Sequence, residues 1–293
     1  MSTIELSCGA NTAQTARLEH EKDSIDYKTN IELSYKDIIS LSKGLNLISE
    51  FYDVKAACTI KGGVICAVAL GQSLPDAVQK VMDSNPVDFI TSAIVVSDEI
   101  DSETAKFFKN TNLVAAPKYT KNALEFLNNH NIPNVEIKTP LKDLKKYLTE
   151  DIKNTPFGTL IQTPNLNELE KDTFKIVSKQ KPTVEQIEDA VFAWKIAKYN
   201  YSQSIVIAKD LKTIAVAQGL QAASIEFALD YSCDMSKDAV LASDMTLTIH
   251  DINVAAQGRI GLIIVPSADK DIVAQADKYT MSIITTGFTN ILY

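Results

Sequence analysis

A short segment near residue 250 brings hydroxyl, imidazole and carboxylate side chains into close succession. Thr246, Thr248, His250 and Asp251 follow an apolar stretch that ends in Ser-Asp, which is typical of the end of a strand. These groups donate and accept hydrogen bonds, and together with the amide of Gln203 they could form a polar binding site. A hydroxyl-rich loop without a ligand is the alternative, and the residues alone leave both open.

The cysteines and histidines do not have the spacing of a metal site. Zinc sites use closely spaced pairs of these residues, whereas here no two cysteines form a C-x-x-C pair and the histidines are far apart. They are Cys8, Cys58, Cys66, Cys233, His20, His130 and His250. No metal is therefore expected. The acidic residues Asp98, Glu99 and Asp101 are typical of a solvated loop that ends in a helix cap.

Composition and charge exclude several classes of protein. The 293 residues carry a formal net charge of −8 and no basic stripe, so nucleic acid is not an expected partner. The first residues show no charged segment followed by an apolar one, and the longest apolar run, Val64 to Leu70, is too short to cross a bilayer. We therefore expect a soluble cytoplasmic protein that has no membrane partner.

Helix and strand patterns are clearest between residues 181 and 210. Pro182 stands just before a predicted helix, where proline is tolerated. Apolar residues then recur at steps of three or four and so share one helix face. They are Val184, Ile187, Ala190, Val191, Trp194 and Ala197. The polar joint Tyr199 to Gln203 leads into an apolar strand, Ser204 to Ala208. This order is typical of an α/β layer, in which ligands often bind at such joints.

The chain contains an internal repeat. Residues 67–71 read AVALG and residues 215–219 read AVAQG, and each is followed by an amphipathic helix and an apolar strand that ends in Ser-Asp. Chance similarity between α/β layers is the alternative, but the nearly equal spacing favours two related layers. The sequence therefore predicts an α/β fold of two tandem subdomains related by internal duplication, residues 1–165 and 166–293.

Residues 181–210 resemble the centre of AICAR transformylase, the formyl-transferring domain of a bifunctional purine-biosynthesis enzyme. The residues shared with the family pattern are Lys181-Pro182-Thr183, Phe192-Ala193-Trp194-Lys195, Ser202, Ile205-Val206 and Ala208-Lys209-Asp210. Tyr201 and Gln203 replace the Lys and Asn of the family's Lys-Ser-Asn. The resemblance implies two tandem cytidine-deaminase-like α/β subdomains, in agreement with the repeat, and a chain that starts without the family's cyclohydrolase domain.

The resemblance also implies a reaction and a catalytic residue. The family transfers a formyl group from 10-formyltetrahydrofolate to the 5-amine of AICAR. It uses a histidine that moves a proton and a lysine whose charge faces the developing oxyanion. Lys61 matches that lysine, but Gly62 stands in place of the histidine. The alternative for Lys61 is a surface lysine in a β-turn.

The substrate-binding residues of the family are partly retained. Asn11 and Gln14 match its R-Y-G-x-N-P-H-Q motif, and Asp244 matches its A-S-D motif, with Thr246 two positions later. Together with Gln203, these residues are our candidates for binding a nucleotide-like or folate small molecule. The resemblance makes 10-formyltetrahydrofolate the expected one-carbon donor.

Charged groups that would bind a phosphate do not stand at the matching positions. A dianionic phosphate is usually held by arginine, yet the arginines of the chain are Arg17 and Arg259, and neither matches a family ligand. Ordinary AICAR formylation is therefore not expected. Three functions stay open: a redirected folate-dependent formyltransferase or weakly active homologue, an inactive pseudoenzyme that acts as a structural or regulatory subunit, and a small-molecule binding protein. The resemblance implies a homodimer or a heteromer with a related subunit.

Overall fold

Strands and helices alternate along the chain, because short apolar stretches form strands and amphipathic stretches form helices. The computed structural model describes residues 2–20, 24–169 and 173–293. The predicted α/β class is confirmed. The chain divides into a first unit (Met1–Val64, Gln72–Gln79 and Val87–Asn167) and a second unit (Ile65–Gly71, Lys80–Pro86 and Glu168–Tyr293).

The elements up to residue 169 begin with one antiparallel strand pair and end with another. The strands are β1 (Ser2–Leu6), β2 (Ala16–His20), β3 (Tyr27–Thr29), β4 (Lys55–Lys61), β5 (Val64–Gly71), β6 (Ala93–Val96), β7 (Leu113–Ala116), β8 (Asn134–Ile137), β9 (Asp151–Thr155) and β10 (Gly158–Gln162). The helices are α1 (Tyr35–Ile48), α2 (Leu74–Ser84), α3 (Pro86–Thr91), α4 (Ser102–Ala105) and α5 (Lys121–Asn129). Short 3-10 turns cover Ser49–Phe51, Lys106–Phe108 and Leu141–Tyr147.

The elements from residue 173 onward alternate more regularly. The strands are β11 (Lys175–Ile176), β12 (Ser204–Lys209), β13 (Lys212–Gln218), β14 (Val240–Ser243), β15 (Leu262–Val265) and β16 (Ser282–Thr285). The helices are α6 (Val184–Ala197), α7 (Gln221–Ser232), α8 (Ile249–Gln257) and α9 (Lys270–Lys278), and a 3-10 turn covers Cys233–Ser236.

The sheet of the first unit is built around two strands that are buried on both faces. β6 and β7 are parallel, and every residue of both is buried. β8 continues the parallel order, while β4 runs antiparallel to β6 and β3 runs antiparallel to β8. α1 packs closely on this sheet, since a Cβ on Gly44 would lie 2.5 Å from the Cγ2 of Val95.

The sheet of the second unit is built around β12. This strand forms a hairpin with β13 and runs antiparallel to β14 on its other side. β14, β15 and β16 are parallel, β11 runs antiparallel to β16, and β13 pairs with β5 through Lys212 and Ala69. Aliphatic side chains on one face of this sheet, such as Ile207, Leu241 and Ile263, form the core of the unit.

The two units share the order of their elements. In each, a long helix is followed by a strand that runs antiparallel to the first of three parallel strands. A short strand runs antiparallel to the last of the three in both. The repeat in the sequence reflects this shared order. Whether one ancestral segment was duplicated stays a prediction, and so does the boundary at residue 165.

α6 is the helix that leads into the joint singled out in the sequence. It begins at a capping box, in which the Thr183 hydroxyl accepts from the Gln186 N–H at 3.2 Å and the Gln186 amide oxygen accepts from the Thr183 N–H at 3.1 Å. The predicted helix and the strand after it are confirmed. The predicted apolar face is wrong in part, because Val184 is 68% exposed, whereas Asp189 and Phe192 are buried although the face did not include them. α6 contacts β12 and β14, which are neighbouring strands of one sheet.

Candidate functional site

Asp244 is the charged side chain around which the loop between α6 and β12 is organised. It follows β14 directly and is fully buried. One carboxylate oxygen accepts from the Ser204 N–H at 2.9 Å, and the other accepts a short hydrogen bond from the Ser202 hydroxyl. Burial raises the pKa of Asp244, and the two hydrogen bonds oppose that shift. The carboxylate therefore fixes both residues that flank Gln203.

Gln203 is held by its backbone. Its N–H donates to the Gly219 carbonyl at 3.1 Å, and the Gly219 N–H donates to the Gln203 carbonyl at 3.1 Å. The peptide bond between Ser202 and Gln203 is cis. No hydrogen bond joins the Gln203 side-chain amide to another residue in the part of the chain that the structure describes. The half-buried amide can therefore donate to and accept from a ligand.

The segment after β16 contacts the same loop. The Ser202 N–H donates to the Leu292 carbonyl at 2.9 Å, and the Leu292 N–H donates to the Ser202 hydroxyl at 3.0 Å. Nearby in sequence, the ring of Phe288 lies edge-on to the ring of Trp194, with centroids 5.8 Å apart. Ser202 thus links Asp244, directly after β14, to the final segment, which the sequence did not predict.

Asn200 lies at the base of the loop and is 1% exposed. Its amide nitrogen donates to the Ser204 hydroxyl at 3.1 Å and to the Ala217 carbonyl at 2.9 Å. Its amide oxygen is buried and accepts no hydrogen bond from any described residue. Buried polar atoms are normally satisfied, so this oxygen could accept from an internal water molecule. Asn200 stands two positions before Ser202, which the chain shares with the family pattern. That position is the signal by which the sequence could have identified it.

The hydroxyl groups after β14 have local partners. The Thr246 hydroxyl lies 2.8 Å from the Ser267 hydroxyl. Thr248 and Asp251 form the capping box of α8, with the Thr248 hydroxyl donating to the Asp251 carboxylate at 2.8 Å. His250 is exposed and lies 3.9 Å from Glu226. These contacts favour the hydroxyl-rich loop over a site formed with Gln203.

Lys61 lies at the end of β4, in the first unit. Its ammonium group forms an ion pair with Asp88 at 2.8 Å, and its side chain is 43% exposed. Gly62 and Gly63 follow with φ angles of +58° and +81°, so they form a two-residue turn in which both residues are left-handed. The position that carries a histidine in the family pattern is therefore the first residue of a tight turn.

Asn11 and Gln14 hold each other in an exposed turn of the first unit. The Gln14 side-chain oxygen accepts from the Asn11 N–H and from the Asn11 side-chain amide, each at 3.0 Å. The Gly9 N–H donates to the Gln14 carbonyl at 2.8 Å, and a Cβ on Gly9 would lie 2.9 Å from the Gln14 Cβ. A side chain at position 9 would clash with Gln14, so Gly9 permits the close approach of the two sides of this turn.

The candidate residues fall into two groups. Gln203, Asp244 and Thr246 belong to the second unit, and Asn11, Gln14 and Lys61 belong to the first. Within the second unit, the structure brings Asp244 and Gln203 together through Ser202 and Ser204. It gives no direct hydrogen bond between Lys61 and the turn of Asn11 and Gln14 in the described residues.

Both arginines of the chain pair with neighbouring carboxylates. Arg17 donates to Glu19 at 2.7 Å, which raises the pKa of the Arg17 guanidinium. Arg259 donates to Asp234. All four side chains are more than half exposed, so each pair adds little stability. A phosphate would have to compete with these carboxylates for either guanidinium.

Comparison with known proteins decides the family. A family model described as AICARFT/IMPCHase bienzyme matches residues 2–229. The chain belongs to the AICARFT/IMPCHase bienzyme family. It is 32% identical over 267 residues to the bifunctional purine biosynthesis protein PurH of Acetivibrio thermocellus. It is also 32% identical over 265 residues to PurH of Caldicellulosiruptor saccharolyticus, and 28% identical over 264 residues to PurH of Anoxybacillus flavithermus.

The match to these AICARFT/IMPCHase relatives covers 87% of this chain and 51% of each of them. The chain therefore spans about half the length of the curated relatives that it matches. Within the described ranges, no group of three or more His, Cys, Asp and Glu side chains could hold a metal ion. No described helix is long and apolar enough to cross a membrane.

Proposed function

We propose that this chain is a redirected, folate-dependent formyltransferase-type protein that acts in the cytoplasm and does not carry out ordinary AICAR formylation. It corresponds to the formyltransferase half of the bifunctional relatives. The observation that carries the proposal is the loop around Gln203, which is held by the fully buried Asp244 and presents a free amide. A neutral amide suits a heteroaromatic ring or a carbonyl group better than a phosphate.

The arginine pairs support a changed acceptor. AICAR carries a dianionic phosphate, for which a bidentate guanidinium is the usual partner. Arg17 and Arg259 are each paired with a carboxylate, so binding a phosphate there would first break an ion pair. Lysine could still supply a point charge, but without bidentate geometry. We therefore expect the acceptor to carry less negative charge than AICAR.

Calorimetric titration of the purified chain with AICAR and with 10-formyltetrahydrofolate tests this proposal. We expect the folate to bind and to raise the melting temperature through mass action, and AICAR to bind at least about tenfold more weakly. Gln203→Ala should weaken folate binding, while Gln257→Ala, on the exposed end of α8, should not. AICAR formylation at about 1 per second or faster would contradict the proposal.

A second candidate, an inactive pseudoenzyme, is favoured by the turn after Lys61. Glycine at position 62 cannot move a proton, and the ammonium group of Lys61 pairs with Asp88. Gly62→His restores an imidazole at a left-handed position, which histidine tolerates better than most residues. Formyl transfer that rises at least about tenfold in Gly62→His supports a retained site. The variant Gly63→Asn is the matched control, since it changes the same turn without adding an imidazole.

Assembly is a further part of the proposal, and it rests on the family resemblance. We propose a homodimer or a heteromer with a related subunit. Light scattering coupled to size exclusion should give about twice the mass of the 32.1 kDa chain if the homodimer forms alone. A monomer at all concentrations, together with a co-purifying related subunit, would identify the heteromer instead.

A further inference from the structure

A cavity of about 390 Å³ lies within the first unit, and its lining residues come from several separate elements. These elements are β2, β3, β8, α1 and the 3-10 turn Leu141–Tyr147. The lining positions of α1 recur at steps of three and four, so one face of this helix forms a wall. The volume lies in the range of small-molecule sites.

The walls of this cavity are mainly aliphatic. Leu41 and Leu45 of α1 are each 5% exposed, and Val135, Ile137 and Leu144 are at most 4% exposed. These side chains are already packed into the first unit, so the walls are preformed. Removing apolar surface from water against these walls is favourable, so a mostly apolar molecule is the occupant that this lining favours.

A few polar and aromatic groups interrupt the apolar lining. The rings of His20 and Tyr27 are stacked, with centroids 6.1 Å apart and planes inclined by 26°. The side-chain amide of Asn46 forms no hydrogen bond with the residues that the structure describes. A side-chain amide has one acceptor oxygen and two donor hydrogens. It can therefore pair with the edge of a ligand that carries a donor group next to an acceptor group.

The charges of the described lining residues favour a neutral occupant over an anionic one. The described residues around the cavity include no lysine or arginine. The carboxylate of Glu19 pairs with Arg17 at 2.7 Å. An anion would lose its hydration without gaining a cation among these residues, so the described lining favours a neutral occupant over an anion.

We propose that this cavity is a binding site for a small neutral ring molecule that is mostly apolar and carries an amide-like edge facing Asn46. The site lies wholly within the first unit and does not involve Gln203 or Asp244. The test of this binding site is therefore independent of the test of the proposed formyltransferase function.

Binding of isoquinolin-1(2H)-one, a neutral bicyclic lactam, to the full chain tests the site by ligand-observed NMR and calorimetry. We expect a Kd below about 1 mM, as befits a ligand of this size. The anion 1-naphthoate, of similar shape, should bind at least about tenfold more weakly. Asn46→Leu should weaken lactam binding by about tenfold through loss of the polar edge.

Filling the cavity provides the second arm of the test. Leu45→Trp should abolish lactam binding, whereas Leu166→Trp, at a position 46% exposed, should bind like the wild-type chain. Undetectable lactam binding to the wild-type chain, equal binding of 1-naphthoate, or wild-type affinity in Leu45→Trp would each overturn the proposal. If circular dichroism shows that Leu45→Trp is unfolded, Asn46→Leu decides, and unchanged affinity in that variant rejects the site.

Discussion

Asp244 shows how one buried carboxylate can fix a loop that carries a candidate ligand group. Its two oxygens accept from Ser202 and Ser204, which flank Gln203 on both sides. A buried charge is costly unless it is hydrogen-bonded, and these two donors meet that requirement. The residue thus stabilises the loop only as long as both donors stay in place.

Replacing Asp244 with alanine should therefore destabilise the chain. We expect Asp244→Ala to lower the free energy of unfolding by about 2–4 kcal/mol, because two buried donors lose their acceptor. Urea denaturation at pH 7 measures the change. A loss under about 0.5 kcal/mol would mean that the loop does not depend on this carboxylate.

The matched variant Asp244→Asn separates charge from hydrogen bonding. Burial raises the pKa of Asp244, so the folded chain binds this proton more tightly than the unfolded chain does. The contribution of Asp244 to stability therefore increases as the pH falls through its folded pKa toward its unfolded value. The wild-type chain should gain stability relative to Asp244→Asn over that range, and a constant difference would contradict the raised pKa.

At the level of single residues, the sequence identified candidate residues but not the partners that hold them in place. Asp244 could be found because a Ser-Asp pair ends an apolar strand in both halves of the chain. The contact between Ser202 and Leu292 could not be found, because it joins residues 90 positions apart and one of its two hydrogen bonds uses only backbone atoms, which any residue carries. The capping role of Thr248 and Asp251 was readable from their spacing of three, and it accounts for part of the predicted polar cluster.

Two tight turns both place residues at positive φ, and each stabilises this conformation in a different way. Gly62 and Gly63 are left-handed, a conformation that glycine adopts readily. The turn between β12 and β13 places Asp210 and Leu211 in the same region, with φ angles of +56° and +54°. There the carboxylate of Asp189, on α6, accepts from both backbone N–H groups at 3.0 and 2.7 Å. The Asp189 side chain thus stabilises a left-handed turn at positions where glycine is the usual residue.

Loss of this support should weaken the hairpin of β12 and β13. Asp189→Ala removes both hydrogen bonds at a position 5% exposed, so we expect the free energy of unfolding to fall by about 2–3 kcal/mol. Hydrogen exchange should show faster opening at the Asp210 and Leu211 amides. The exposed neighbour Glu188→Ala is the control, and equal effects of both variants would show that Asp189 has no special role in the turn.

At the level of elements, helices were easier to predict than the segment between the two halves. α6 follows from its apolar spacing and its Lys-Pro-Thr start. The charged residues from Lys142 to Asn154 are typical of an exposed helix or linker, but the structure shows a 3-10 turn and then β9. Its buried Leu141 and Leu144 explain the difference, because these contacts come from tertiary packing that the charged sequence hides. The stretch from Phe157 to Gln162 is typical of a strand, and β10 (Gly158–Gln162) forms there.

At the level of the whole molecule, the second unit uses residues from the first half of the chain. Residues 65–71 belong to it and form most of β5. The Val68 N–H donates to the Thr213 hydroxyl at 2.9 Å, and the Leu70 N–H donates to the Leu211 carbonyl at 2.9 Å. A division at residue 165 separates β13 from these partners.

A fragment of residues 166–293 should therefore fold poorly. Without β5, one edge of β13 exposes unpaired N–H and C=O groups, which favours aggregation. Size-exclusion chromatography should show oligomers or precipitate rather than a monomer. A fusion that adds residues 64–86 through a flexible linker should restore a soluble, cooperatively unfolding protein. A monomeric, cooperatively unfolding fragment 166–293 would show that β5 is dispensable.

The edge-on contact between Trp194 and Phe288 has a practical consequence. Trp194 is the single tryptophan of the sequence and is 1% exposed, so all tryptophan fluorescence of the chain originates at this one protected position. When water reaches an indole ring, its emission moves to longer wavelength. The wavelength of the Trp194 emission therefore reports whether the segment around Phe288 remains packed on α6. Fluorescence can follow this region without an added label.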